Sequence, residues 1–283
     1  MPRRFEPSAP TRRMDIRGVD FSGGAEPGTD IWIAEGRLDG GVLELEACRP
    51  AVEAFGVRER APVLGSLRDL LAESSGATGI DCSFGLPAAV LPAAVSTWHE
   101  SVAWVADAFA DADAAGMRDS LKQRARSLAG DGVELKRRTD DAVDANSPYS
   151  FITYYQTLHG VRDLLAPLLD RGAVAVPPMD SAGERTVLEV YPAGTLRRLG
   201  AVDEGYKEPT VEAEARREAI LSALTDGGGV DLTLTERISE RALEDDGGDA
   251  LDSIIAAVAT ARAAARGFKP STEYDPREGC IYI

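Results

Sequence analysis

Histidine and cysteine are scarce in this 283-residue chain. It has two histidines, His99 and His159, and three cysteines, Cys48, Cys82 and Cys280. So few histidines argue against a histidine-rich metal cage or a histidine-based triad. Three widely spaced cysteines without a C-x-x-C pair indicate neither a disulfide framework nor a cysteine zinc site. We expect the cysteines to be small buried residues. One histidine could still act as a base, but the chemistry must rest mainly on carboxylates.

Long apolar runs are also missing. The two longest, at 87–95 and 254–265, are too short or too interrupted by charge or proline to span a bilayer, and no signal peptide opens the chain. We therefore predict a soluble, cytoplasmic protein without a membrane partner. The sequence leaves the oligomeric state open.

Lysine is the third scarce residue type. The chain has 47 acidic residues against 31 lysines and arginines, a net charge of -16, and only Lys122, Lys136, Lys207 and Lys269 are lysines. This composition resembles that of proteins from salt-loving archaea, where concentrated salt shortens the Debye length to about 3 Å and screens self-repulsion. In dilute salt the charge would oppose a nucleic-acid partner, whereas in concentrated salt it says little about function.

The pattern of the chain predicts one α/β domain. Residues 1–13 are rich in proline and arginine and lack periodicity, so we expect a disordered lead, or a true start at Met14. Residues 14–283 are long enough to bury a full core. Short strands with glycine-rich connections within 15–48 predict an antiparallel three-strand meander. Further strands are predicted within the segment 79–87 and at 173–176 and 186–191, and helical insertions at about 88–170 and 205–245.

Two predicted strands end in a carboxylate. Asp20 closes Gly18-Val19-Asp20, and Asp81 closes Gly79-Ile80-Asp81; each follows a glycine and an apolar residue. A buried strand that ends in an acidic residue before a turn often places a metal ligand, although a lone aspartate there is also ordinary turn chemistry. Asp249 and Asp252 are three residues apart at the start of a predicted long helix, so they project from one side. Favourable interaction with the helix dipole would also explain at least one of them.

Carboxylates gathered from two strands and a helix repel one another unless a cation compensates them. Mg²⁺ or Mn²⁺ takes oxygen ligands, and two such ions about 4 Å apart can activate water and stabilise the leaving oxygen of a phosphodiester. The sequence therefore admits a two-metal hydrolase. The basic run Lys136-Arg137-Arg138 has two interpretations, a solvated loop or a contact for a phosphate-bearing substrate.

Six segments resemble, in order, the family catalogued as domain of unknown function 429, often described as predicted ribonuclease-H-like nucleases. They are Gly18-Val19-Asp20, Ile80 to Pro87, Glu189 to Ala193, Tyr206-Lys207, Asp249 to Asp252 and Glu278-Gly279. The resemblance covers residues 14–283. The order of meander, helix, strand with aspartate and late helix with paired aspartates also resembles the ribonuclease H fold. It implies a ribonuclease-H-like mixed sheet of a three-strand meander plus parallel strands, flanked by helices.

The resemblance implies site residues as well. Asp20, Asp81, Asp252 and Asp249 would hold Mg²⁺ or Mn²⁺ and form the catalytic set with Glu189. Glu189 either faces the same cleft or is a strand residue paired with a structural arginine. Lys207 is either a phosphate contact or an ordinary surface lysine. The expected activity is metal-dependent hydrolysis of phosphodiester bonds, with nucleic acid as the partner.

Two other functions remain open. Val19 to Gly24 followed by a second strand is loosely like the phosphate hairpin of actin-like and sugar-kinase-type ATP phosphotransferases, although a second copy of the meander is not apparent in the sequence. The other alternative is a ribonuclease-H-like scaffold that binds a partner and cuts nothing. Metal titration separates the scaffold from the enzymes, because a protein without a site shows no metal-linked stabilisation beyond general salt effects.

Overall fold

The fold is described from a computed structural model, which covers residues 13–128, 132–226 and 229–283. Most of the predicted disordered lead, residues 1–12, lies outside the described residues. Within them, no helix has both the length and the apolar character needed to cross a membrane. The three cysteines are free and buried, which confirms the expectation from their spacing.

The centre of the molecule is a mixed sheet of seven strands. The strands, in chain order, are β1 Met14–Asp20, β2 Trp32–Asp39, β3 Val42–Pro50, β4 Gly76–Asp81, β5 Arg185–Val190, β6 Asp231–Thr233 and β7 Ile281–Tyr282. Their order across the sheet is β6-β3-β2-β1-β4-β5-β7. The first three form the predicted antiparallel meander, and β4 pairs with β1 in parallel. The remaining neighbours, β3 with β6, β4 with β5 and β5 with β7, are parallel.

Helices lie on both faces of the sheet, which confirms the predicted α/β class. They are α1 Ala51–Phe55, α2 Arg60–Glu73, a 3₁₀ turn at Ala88–Val90, α3 Trp98–Ala108, α4 Ala114–Arg126, α5 Arg138–Val143, α6 Tyr154–Leu158, a π-helix at His159–Leu165, α7 Ala166–Asp170, α8 Pro192–Leu199, α9 Val211–Asp226, α10 Glu236–Glu244 and α11 Asp249–Ala265. One face packs on α2, α3 and the π-helix. The other packs on α9, α10 and α11.

Helix α11 is the most deeply buried element. Every residue from Ala250 to Ala263 is buried, because the helix lies between the sheet and other helices. Its alanine-rich composition suits this position, since small side chains let the helix approach the strands closely. A helix that is apolar on all sides is expected to be buried on all sides.

Two glycines on the strands allow this approach. A Cβ atom at Gly18 would lie 2.1 Å from Ala257 N and Ser253 O of α11, and one at Gly79 would lie 2.0 Å from Thr260 Oγ1. Each glycine stands two residues before a strand-end aspartate, so glycine and aspartate lie on the same face of the sheet. The Gly-x-Asp pattern therefore seats the helix and also directs the carboxylate toward its N-terminal end.

The structure differs from the sequence-based expectations at three places. The strand predicted at 173–176 forms one bridge, between Ala175 and Thr186. The basic run Lys136-Arg137-Arg138, for which a solvated loop was one interpretation, leads into α5, Arg138–Val143, whose charged N-terminal residues hide the helical pattern. Strands β6 and β7 were not predicted, because two or three residues are too few to show a period of two.

Candidate metal centre

The central strands bring two carboxylates side by side. Strands β1 and β4 are parallel neighbours, and their last residues, Asp20 and Asp81, are direct partners in the register. Side chains at matched positions of parallel strands point to the same face. Both carboxylates therefore emerge together at the carboxyl edge of the sheet, where α/β proteins commonly bind ligands.

Helix α11 supplies a third carboxylate. Asp252 lies in its first turn and is buried, as is Asp20 at the end of β1. One oxygen from each of Asp20, Asp81 and Asp252 lies within 4.8 Å of the others. We call these three residues the carboxylate triad. The pairing of β1 with β4 thus brings Asp20 and Asp81 together, and the seating of α11 on Gly18 and Gly79 brings Asp252 to them from 171 positions further along the sequence.

The carboxylates of the triad repel one another when they are ionised. Burial raises the pKa of Asp20 well above its usual value, and the charges of Asp252, Asp81 and Asp249 raise it further, against the opposing effect of Lys207. Burial and the charge of Asp252 likewise raise the pKa of Asp81 to about 8, again opposed by Lys207. Without a compensating cation, ionisation of these groups is therefore costly.

Tyr206 and Lys207 both bind the carboxylate of Asp252. The buried Tyr206 hydroxyl donates a hydrogen bond of 2.7 Å to Asp252 Oδ1, and Lys207 Nζ forms an ion pair with Asp252 Oδ2. Burial and the nearby Asp252 charge raise the pKa of Tyr206, so it remains a donor. Burial lowers the pKa of Lys207, but the carboxylates outweigh that effect and raise it. Lys207 thus stays cationic, and about half of its side chain is exposed to solvent.

Gly248 explains how this pair packs against the start of α11. Its backbone is left-handed, with φ of 76°, and a Cβ there would lie 3.0 Å from Lys207 Cγ and 3.2 Å from the Tyr206 ring. Glycine adopts this conformation without the steric cost that other residues carry. Gly247-Gly248 before Asp249 is therefore part of the site's construction.

Asp249 lies beside the triad and does not share its centre. Burial raises the pKa of Asp249 to about 6, with Asp245 the next contributor, and Lys207 opposes the rise. Within the described residues, the carboxylates that converge closely enough for a shared ion are those of Asp20, Asp81 and Asp252. The structure thus brings together three of the four predicted metal ligands and leaves the fourth at the rim.

The donor set fits Mg²⁺ or Mn²⁺. All three converging ligands are carboxylate oxygens, which hard divalent cations prefer. The triad carries three negative charges when ionised, and Lys207 supplies one positive charge, so the remaining charge matches that of one divalent cation. Neither histidine nor cysteine contributes to this cluster, which disfavours zinc as its natural ion.

The predicted site residue Glu189 belongs to a buried ion-pair network behind the triad. Arg137 is fully buried, and its guanidinium binds both oxygens of Glu189, at 2.8 and 2.5 Å, together with Asp140. Glu189 Oε2 also accepts a hydrogen bond of 3.0 Å from Phe84 N. Burial raises the pKa of Glu189, against the lowering effect of Arg137. Of the two interpretations of Glu189 from the sequence, this geometry matches the second, a strand residue paired with a structural arginine.

Arg137 is therefore not a solvated residue, although its neighbour Arg138 is exposed to solvent. Arg137 lines the cavity next to Asp81, but its donors are taken by Asp140, Glu189 and Glu278 O. Its neighbours point elsewhere. Lys136 lies 3.6 Å from Asp144, and the exposed Arg138 lies 3.6 Å from Glu273. None of the three side chains presents a free charge at the triad.

Glu278 has a structural role that the sequence did not reveal. Its two carboxylate oxygens accept hydrogen bonds from Ala88 N, at 2.6 Å, and Arg138 N, at 2.8 Å. Gly85 packs so closely on the Glu278 backbone that a Cβ would lie 2.4 Å from its carbonyl oxygen. Together with Glu189, this residue fixes the segment that follows Asp81. Tyr206 was also given no role, because an isolated tyrosine in sequence does not indicate which carboxylate it will reach.

Comparison with known proteins gives a family assignment without a described activity. No match was found among curated proteins or among solved structures. A family model does match, over residues 18–278, a range that contains the triad, Glu189, Tyr206 and Lys207. The chain therefore belongs to the family described as "Protein of unknown function (DUF429)".

Proposed function

We propose that this protein is a divalent-metal-dependent hydrolase of phosphodiester bonds in nucleic acid, with a ribonuclease-H-like fold and a cytoplasmic location. The observation that carries the proposal is the carboxylate triad, in which three buried or half-buried aspartates from separate elements approach within 4.8 Å. Proteins rarely assemble uncompensated carboxylates in this way without a cation to bind. The order of meander, parallel strand with aspartate and late helix with aspartate supports the same fold.

Each residue near the triad has a distinct task in this proposal. Asp20, Asp81 and Asp252 hold the ion, and Tyr206 orients Asp252 through its hydrogen bond. Lys207 is the half-exposed cation next to the triad, so it is placed to contact a substrate phosphate. Asp249, at the rim, modulates the charge of the site. When bound, Mg²⁺ or Mn²⁺ lowers the pKa of water and stabilises charge on the leaving oxygen.

The test is cleavage of labelled DNA and RNA, single-stranded and duplex, in the presence of Mn²⁺. We expect Asp20→Asn to lower the rate by about 10³-fold or more, because the variant loses a charged ligand. The variant should stay folded, since the change removes a buried charge whose ionisation is unfavourable. Circular dichroism and the melting temperature check this. Asp39→Asn is the matched control, because Asp39 also ends a strand of the sheet but is exposed.

The same three proteins, the wild type and the two variants, also distinguish a hydrolase from a non-catalytic scaffold. Mn²⁺ should raise the melting temperature of the wild type and of Asp39→Asn, and should raise that of Asp20→Asn much less. Full cleavage activity in Asp20→Asn would contradict the proposal. The absence of both metal-linked stabilisation and cleavage of any of the four substrates would support the scaffold instead.

A further inference from the structure

A series of neighbouring cavities with shared lining residues leads away from the triad. The cavity beside Asp81, Lys207 and Asp252 shares Asp81 and Lys207 with a second cavity. That second cavity shares Ile152 and Gln156 with a third, which is lined by residues 22–25 directly after β1. We call this connected series the groove.

The far end of the groove opens into a basic cavity. Arg60 lines both the third cavity and a fourth, of about 590 Å³, which lies between α2 and the π-helix. We call this fourth cavity the arginine pocket. Its charged and polar lining residues are Arg60, Arg68, Arg162, Arg171, His159 and Asp163. Four guanidinium groups thus face one carboxylate, in a chain whose net charge is -16.

Two of these residues build the pocket wall. Arg162 donates to both oxygens of Asp163, at 2.7 and 3.1 Å, and also to the carbonyls of Phe109 and Ala112. His159 Nδ1 lies 2.5 Å from Asp163 Oδ2. Asp163 is therefore saturated by its own neighbours, and the only carboxylate of the pocket is already neutralised by Arg162.

The other three arginines retain free donors. Arg60 uses Nε for Gly24 O, at 2.6 Å, and Arg68 uses one terminal nitrogen for Asp163 O, at 2.5 Å. No partner within the described part of the chain occupies the terminal nitrogens of Arg60, the remaining nitrogens of Arg68 or any nitrogen of the exposed Arg171. Guanidinium groups with unused donors are well suited to phosphate, which accepts paired hydrogen bonds.

Apolar side chains flank the groove between the triad and the arginine pocket. Ile152 and Tyr155 line its middle section, and Phe151, Ile152 and Tyr155 are exposed by 75, 73 and 44 per cent. The groove itself is lined by more acidic than basic side chains, so its cationic contacts lie at Lys207 and at the arginine pocket. An exposed ring such as that of Tyr155 between two cationic contacts suits single-stranded nucleic acid, because unpaired bases stack on aromatic rings. Paired bases in a duplex do not offer those faces.

We propose that the arginine pocket binds a backbone phosphate of a single-stranded nucleic acid whose chain runs along the groove to the triad. The inference rests on the proposed function, since it assigns the scissile phosphodiester to the triad. It adds a second contact point, at Arg60, Arg68 and Arg171, and it assigns an unpaired strand as the substrate class.

The test is a binding measurement in EDTA, where no cleavage interferes. Single-stranded DNA and RNA of about 15 nucleotides, labelled at the 3′ end, are titrated by fluorescence anisotropy over a range of KCl concentrations. We expect Arg171→Gln to raise the Kd about three- to tenfold and to reduce the salt slope by about 0.7, the value for one phosphate contact on a single strand. Arg171 is exposed and makes no contact that folding needs, so the variant should fold as the wild type does.

Arg237→Gln is the matched control. Arg237 is also exposed and lines a different cavity, beside Arg49 and Arg241, so the substitution removes the same charge elsewhere. It should change the Kd less than twofold. Oligonucleotides with and without a 5′-phosphate distinguish a backbone phosphate from a terminal one. An Arg171 effect of equal size on both supports the proposal, whereas an effect confined to the 5′-phosphorylated strand overturns it.

The remaining outcomes separate this inference from the proposed function. If Arg171→Gln and Arg237→Gln both bind as the wild type does, or if the wild type binds neither strand, the inference is overturned even where Mn²⁺-dependent cleavage is observed. If binding depends on Arg171 but Mn²⁺ yields no product, the phosphate site stands and the hydrolase proposal fails.

Discussion

Lys207 places a positive charge where a metal ion would also be attracted. Its ammonium pairs with Asp252 and stabilises the ionised forms of Asp20 and Asp81. A divalent cation bound by the triad would therefore be repelled by this lysine, while a substrate phosphate would be attracted to it. In the proposed hydrolase, Lys207 would therefore favour substrate binding at some cost in metal affinity.

Replacing this lysine should separate the two effects. We expect Lys207→Gln to bind Mn²⁺ about tenfold more tightly, because a repulsion of about 1–2 kcal/mol at a half-exposed site is removed. Cleavage should nevertheless be slower, since the phosphate contact is lost. Calorimetric titration with Mn²⁺ and the cleavage assay measure the two changes. Lys269→Gln, which alters an exposed lysine far along the chain, should change neither; weaker Mn²⁺ binding by Lys207→Gln would contradict this view.

Asp163, in the arginine pocket, makes the stability of the folded protein depend on pH. Burial raises the pKa of Asp163, but hydrogen bonds from His159 and Arg162 outweigh it and lower the pKa to about 2. A depressed pKa in the folded state contributes stability that is present above the unfolded pKa and is lost as the pH falls toward 2. The stabilising effect is therefore complete at neutral pH.

Asp163→Asn should accordingly be less stable than the wild type by about 1 kcal/mol at pH 6, after allowance for partial exposure of the pair. That difference should shrink as the pH falls from about 5 to 2, because the wild-type carboxylate becomes protonated. Urea unfolding at several pH values measures it. Asp69→Asn, at an exposed position on α2, should differ from the wild type by a constant amount. A difference that grows toward low pH would refute the assignment.

At the scale of elements, the seat of α11 on β1 determines whether the triad forms. Gly18→Ala places a Cβ 2.1 Å from two backbone atoms of α11, which cannot give way as a flexible side chain can. We expect a loss of about 3 kcal/mol in the free energy of unfolding. Weaker Mn²⁺ binding should accompany it, since α11 carries Asp252. Thermal and urea unfolding with and without Mn²⁺ measure both effects.

Gly65→Ala is the control for this substitution. Gly65 lies within α2, and a Cβ there would have its nearest contact at 3.7 Å, with the end of the Arg68 side chain. Alanine is the better helix former, so this variant should be more stable by about 0.5–1 kcal/mol. If Gly18→Ala were as well tolerated as Gly65→Ala, close helix seating could not be what assembles the triad.

The elements that build the triad are the ones that the sequence predicts well. Asp20 and Asp81 each lie at the end of a predicted strand that the Gly-x-Asp spacing marks, and Asp252 lies near the start of a predicted long helix. Arg137 shows the limit of such reasoning, because a charged run indicates exposure while the fold buries this arginine between Glu189 and Asp140. Ion pairs over long sequence distances leave no local pattern.

The arginine pocket was not predicted for a similar reason. Arg60 and Arg68 lie on α2, Arg162 on the π-helix and Arg171 after α7, so their proximity arises only in the folded chain. The π-helix itself has no clear signature in sequence and lies within the helical insertion predicted at about 88–170. Such wide turns are frequent at functional sites, because the extra residue redirects side chains.

At the scale of the whole molecule, the net charge of -16 should make stability depend on salt. We expect the melting temperature of the metal-free protein to rise by about 5 °C when KCl increases from about 0.1 to 1 M, because the Debye length falls from about 10 to 3 Å and self-repulsion is screened. Calorimetry measures this. Glucose at the same osmolality is the control for excluded-solute effects, and a melting temperature that falls with KCl would contradict the expectation.

The late position of α11 has a consequence for protein synthesis. Asp20 and Asp81 leave the ribosome while Asp252, 171 residues after Asp81, has yet to be translated. At that stage the nascent chain carries Asp20 and Asp81 of the triad but lacks α11, the helix that positions Asp252. The central strands of this nascent chain also lack α11, which packs on one of their faces in the complete fold. In the proposed nuclease, cation binding is therefore delayed until most of the chain has emerged, which separates the ribosome and its message from an active cutting site.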